Sequence, residues 1–200
     1  GDLNFDATGA ATLTRLDVAG ATGVTGQAGD GLAVADLRAD NRVDLTTTGG
    51  DLSVTDAVIG AFDLDSAGAL TIANLATAGS GVDLSTAVGD ITVANIVSDT
   101  NASFDSTGGA LDIDSAHIGS TLRLSANGDV ALGAIAVGDD LSARSDTASV
   151  LIRDAATEAP ADIVTDGVQA AEIGFAAGPL VGDPADERVM AAPTGTAGAT

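Results

Sequence analysis

Three aspartates at even spacing are the first residues in this chain whose types could do chemistry. Asp44, Asp63 and Asp83 each stand second in an apolar, polar, apolar trio, and the trios recur after 19 and then 20 residues. If the trios are stacked strands, their carboxylates form one outward row at roughly the 4.8 Å strand spacing. Two unit charges that close in water repel by roughly 0.8 kcal/mol. Such a row is either well solvated or relieved by a hard cation such as calcium, which takes oxygen ligands. The row ends at Ser103 and Arg123, which a dedicated channel of sites would not do, and this favours a solvated surface.

The other candidates carry less chemistry. Gly79-Ser80-Gly81-Val82-Asp83 resembles one copy of the G-x-G-x-D core of the calcium-binding nonapeptide repeat. That repeat works only in tandem; no second copy follows nine residues on, so a turn is the better reading. Asn74 and Asn95 hold matching places in Ile72-Ala73-Asn74-Leu75 and Val93-Ala94-Asn95-Ile96. Stacked amides can bond to one another along a β-stack and brace a bend through bonds to the backbone, so we read them as a structural ladder. His117 is the single histidine and has no nucleophile motif beside it, and the basic side chains are arginines only. Asn101-Ala102-Ser103 fits an N-x-Ser acceptor with Asp99 two residues earlier, a pattern often met by chance. Ser53, Thr71, Thr92, Asp112 and Ala131 are too irregular for the flat threonine array of an ice-binding face.

What must position these residues is a strand repeat. Segments beginning at Val43, Phe62, Val82, Ala102 and Leu122 open VDLTTTG, FDLDSAG, VDLSTAV, ASFDSTG and LRLSANG. Glycine follows each, and then a second alternating trio such as Leu52-Ser53-Val54 or Ile91-Thr92-Val93. A period of about 20 residues marks a solenoid, whose repeats bury their apolar faces against one another. Period-two alternation makes the repeat a strand repeat, and frequent glycine with β-branched runs works against helix. The chain is therefore expected to be all-β: a right-handed parallel β-helix of about eight rungs, 19–21 residues each, with an irregular C-terminal cap or tail. Equivalent residues then stack as ladders. Phe5, Leu45, Leu64, Leu84, Phe104 and Leu124 form one interior ladder, and Val54, Ile72, Val93, Ile113 and Leu132 a second. Val58, Leu75, Ile96, Ile118 and Ile135 are assigned to a third.

Composition narrows the function classes. The formal charge is −22, lysine is absent, and aspartate far outnumbers glutamate. Nucleic acid and anionic membranes are poor partners for such a surface, since both require positive charge. An acidic exterior also keeps a repetitive rod from associating edge to edge. The absence of cysteine removes disulfides and thiolate metal sites. No apolar run reaches the ~18 residues needed to span a bilayer. Aromatic residues are only Phe5, Phe62, Phe104 and Phe175, too few for the platforms of a sugar-binding groove.

In chain order, residues 1–154 are read as the β-helix, with a first rung at 1–21 and a second at 22–42 whose first side loosens into a glycine-rich loop. Residues 155–182 are an irregular last rung or cap. Residues 183–200 are a short helix, started by Asp183 with Pro184 at its first position, and a flexible tail. The pattern is already under way at Gly1, which suggests a piece of a longer protein. All four prolines lie beyond the regular repeat, where a ladder needing its N–H donors has ended.

With strands such as VDLTTTGGDLSV, FDLDSAGALTI and VDLSTAVGDITV, residues 1–152 resemble the repeat region of large secreted bacterial adhesins of the filamentous haemagglutinin type. The resemblance implies an exported, extracellular or cell-surface shaft that projects binding regions, is not an enzyme and needs no cofactor. Its partners would be a host-cell or matrix surface, or other copies of itself end to end. Two rivals stay open. One is a β-helix polysaccharide lyase or hydrolase, which needs paired carboxylates or an arginine base beside calcium. The other is a calcium-dependent surface module built on Asp44, Asp63 and Asp83.

Overall fold

Alternation decides the local structure. In five-residue strands such as Val82–Thr86 and Ala102–Ser106 the first, third and fifth side chains are buried and the second faces solvent. In eight-residue strands such as Ile91–Ser98 and Leu111–Ile118 the buried positions are first, third, sixth and eighth. Two successive non-inward residues, Ala94-Asn95 and Asp114-Ser115 in these examples, break the parity and bend the strand into two short sides. Each turn of the coil thus has three sides, the first from the five-residue strand and the second and third from the bent one.

The computed structural model describes residues 2–18, 23–77, 79, 81–139, 141–148, 150–157, 161–165, 174–175 and 189–191. Its strands form one continuous sheet, and each pairs in parallel with its equivalents on the neighbouring turns. On the first side the register runs Leu3, Val24, Val43, Phe62, Val82, Ala102, Leu122, Leu141. On the second it runs Ala11, Leu32, Leu52, Leu70, Ile91, Leu111, Val130, Val150. The result is a parallel β-solenoid of about 7 turns. The expected all-β coil and the starting points read from the repeat, Val43, Phe62, Val82, Ala102 and Leu122, are therefore the observed ones.

The core is the stack of inward side chains. Phe62, Phe104, Leu45, Leu64 and Leu84 are fully buried, as are Leu52, Leu70, Ile91 and Leu111 on the second side. Burying one such side chain is worth roughly 1.5–3 kcal/mol, so every turn adds several increments that only its neighbours can supply. The first turn is thinner: Phe5, Leu13, Leu16 and Val18 are only partly buried against the cluster.

Four sequence expectations need correction. The third ladder is Leu37, Ala57, Leu75, Ile96, Ala116 and Ile135. Val58 pairs with Arg38 and Ala76 on the outward row, and Ile118 pairs with Ser98 and Val137 two residues further along. The bend absorbs two residues, and reading straight alternation through it moves a residue to the wrong face. The glycine-rich stretch at 22–42 contains a regular first-side strand, Gly23–Ala28, in register with its neighbours. The rung boundary placed at residue 154 falls inside the strand Val150–Thr157, which pairs with Val130–Val137. Stacking then continues through Ala161–Thr165, Gly174–Phe175 and Val189–Ala191. The start of the expected helix at Asp183 and the tail at 194–200 lie outside the described residues; Val189–Ala191, placed in that helix, is strand.

Candidate functional site

The aspartate row exists. Asp44 pairs with Asp63 and Asp63 with Asp83 on the outward face of the first side, flanked by Thr25 and Ser103. Arg42, two residues before Asp44 at the preceding corner, reaches the row. Its guanidinium bonds to the Asp63 carboxylate and lies 3.8 Å from that of Asp44. Burial pushes the Asp63 carboxyl above its ordinary value, Asp44 adds to this, Arg42 opposes it, and Asp83 and Asp65 push the same way. A column stacks carboxylates without converging them on one point. Among the described residues no three acidic, histidine or cysteine side chains gather as an ion would need. The counter-charge beside Asp44 and Asp63 comes from Arg42.

Asn74 and Asn95 are paired in register at the second corner, and Asn74 pairs on its other side with Asp56. The Asn74 amide donates to the Asp56 carboxylate at 2.9 Å, so the ladder extends to a carboxylate rather than being amide alone. Phe5 and Phe104 lie on one inward column, which runs Phe5, Gly26, Leu45, Leu64, Leu84, Phe104, Leu124. Phe104 is fully buried; the Phe5 ring lies over Gly26, where an added Cβ would stand 2.0 Å from its tip. His117 is exposed on the third side, in register with Val97 and Ala136. Gly79, in the fragment that resembles a calcium repeat, sits in a bend with φ +140°, a backbone conformation that suits glycine, as a turn requires.

Two sets of residues escaped the sequence reading, and both build the corner between the first and second sides. The first is a column of buried hydroxyls at the fifth strand position: Thr47, Ser66, Thr86, Ser106 and Ser145. Thr47 donates to the Gly50 carbonyl at 2.7 Å, Thr86 to that of Gly89 at 2.8 Å, and Ser106 to the same Gly89 carbonyl at 2.9 Å. Their sign in the sequence is parity, since a Thr or Ser two places after an inward apolar residue must itself point inward. The second set comprises Asp51 and Asp90, whose carboxylates accept the backbone N–H of Ala69 and Ala110 on the next turn, both at 2.8 Å. Gly68 and Gly109 make room, since a Cβ there would lie 2.3 and 2.5 Å from those carboxylate oxygens. The sequence carries this as an alternation, Gly50-Asp51, Gly68-Ala69, Gly89-Asp90, Gly109-Ala110, Gly128-Asp129. Asp51 and Asp90, two turns apart, each cap the turn that follows, which keeps these like charges two spacings apart.

The third side carries an open depression. An open groove of ≈ 630 Å³ runs along its outward row and the corner beyond, and a second of ≈ 380 Å³ adjoins it toward the preceding corner. Both share the floor residues Val58, Ala76 and Val97. Compared with known proteins, the chain matches no family model, no curated protein and no solved structure.

Proposed function

We propose that this chain is a non-catalytic structural or adhesive segment of an exported bacterial surface protein: an adhesin shaft, matrix fibre or surface-layer piece. The observation that carries the reading is the parallel pairing of equivalent strands on successive turns between Leu3 and Thr165, with one register irregularity between Ala39 and Arg42 and turns of nearly equal length. Such a stack converts chain length into a stiff, extended distance, since each turn touches only its neighbours. Its resemblance to filamentous haemagglutinin repeats supplies the exported setting and a host or matrix surface, or further copies end to end, as partners. The calcium-module alternative has less support at Asp44 and Asp63, where Arg42 supplies a positive charge.

The test is antibody raised against this chain and applied to intact source cells and to their culture medium. Labelling of unpermeabilised cells, or recovery from the medium, is expected. Labelling only after permeabilisation would overturn the exported setting. Electron microscopy of the purified chain separates a shaft from a fibre: end-to-end filaments support self-assembly, and monodisperse short rods sink it.

A further inference from the structure

We infer that the groove on the third side is a docking surface for an extended peptide segment in which basic and apolar side chains alternate. The inference is independent of the reading above. Its floor is a stripe of outward apolar residues on three successive turns, Val58, Ala76 and Val97, in direct register. Val58 is 54% and Val97 37% exposed. Carboxylates stand at both edges: Asp36 and Asp56 at the preceding corner, Asp40 and Asp99 at the following one. Arg38, at one end of the floor, is engaged with Asp36 at 3.1 Å.

Charge decides the occupant. A second copy would set aspartate edges against aspartate edges in a chain of net charge −22. A segment with lysine or arginine lays its aliphatic stems along the valines while its charged heads reach the edge carboxylates. Stripe residues recur at roughly 4.8 Å and an extended chain advances roughly 3.3 Å per residue. The three-turn floor therefore accommodates a few residues, with apolar side chains down and basic ones toward the rims.

The test is fluorescence anisotropy with fluorescein-labelled octapeptides added to the whole chain in moderate salt. The probes alternate Lys with Val, Lys with Ser, and Glu with Val. Lys-Val is expected to bind at least about tenfold more tightly than Lys-Ser, equivalent to about 1.4 kcal/mol of apolar contact, and Glu-Val not at all. Val97→Asn and Asp99→Asn should each weaken Lys-Val binding severalfold. Asp105→Asn, an equal charge change on the exposed face of the first side, should leave it unchanged. Val97 and Asp99 are exposed, so circular dichroism will confirm that the variants fold. Equal binding of Lys-Val and Lys-Ser would overturn the proposal, as would equal losses in Asp99→Asn and Asp105→Asn. Either result would assign the attraction to net charge alone. Absence of binding by Lys-Val would also overturn it.

Discussion

Asp63 holds its proton more tightly than a free aspartate because it is partly buried and stacked between Asp44 and Asp83, with Arg42 offsetting only part of the penalty. The sign follows from linkage. Above its folded pKa the anion is less comfortable in the fold than in the unfolded chain; acidification through that pKa toward the ordinary 3.8 removes the disadvantage. Asp63→Asn should therefore raise the thermal midpoint at pH 7 despite the lost bond to Arg42. The gain should shrink as the pH approaches 4, as read by circular dichroism melts across pH. A lower midpoint at pH 7 would mean that Arg42 outweighs burial and repulsion. Gly26 gives a second test at this scale. Leucine fills its column at 45, 64, 84 and 124, yet the Phe5 ring occupies the space above Gly26. Gly26→Leu alone should destabilise by about 1–3 kcal/mol through overpacking. Combined with Phe5→Ala it should cost less than the two single changes added together, because the new side chain fills the space the ring leaves. Urea denaturation of the four proteins measures this coupling, and simple additivity would refute the stacking of ring on glycine.

At the scale of the element, the corner between the first and second sides is held by side chains more than by any turn type. Asp90 accepts the Ala110 N–H just as a capping residue does at a helix start, and a cap of that kind is worth about 0.5–2 kcal/mol. Asp90→Ala should lower stability by that amount, and Asp90→Asn should restore part of it because the amide oxygen still accepts. Ser106→Ala should cost about 1 kcal/mol through its lost bond. The effect should be muted because Thr86 still serves the same Gly89 carbonyl. Denaturant midpoints of the three variants decide; equal stability of Asp90→Ala and the parent chain would mean that water replaces the cap without loss.

At the scale of the whole molecule, charge opposes the stack while apolar columns hold it. With a formal charge of −22, self-repulsion destabilises the compact state, and salt screens it over roughly a 10 Å length at 0.1 M. The melting temperature should rise as sodium chloride is increased from low to physiological concentration. Calcium chloride at matched ionic strength should add nothing further, because the carboxylates are stacked rather than convergent. A calcium-specific increase would mean that ions bind the native state and stabilise it by mass action, and would revive the calcium-module reading.

The period, the strand starts and the first two inward columns were legible in the sequence, because a stack repeats its environment and each turn must meet the same steric demand. Asp44, Asp63 and Asp83 could be aligned by counting alone. Counting failed where the chain bends: two residues spent at the second corner put Val58 outside and Ile118 on a different column. It also failed where contacts join turns about 20 residues apart. That Arg42 answers Asp63, that Asp51 and Asp90 cap the turn above, and that Phe5 rests on Gly26 are tertiary facts. The sequence by itself determined the parallel coil, since alternation and period follow from local geometry. Only the tertiary structure decided which side chains meet across turns, since that depends on the register and on how sharply each corner folds.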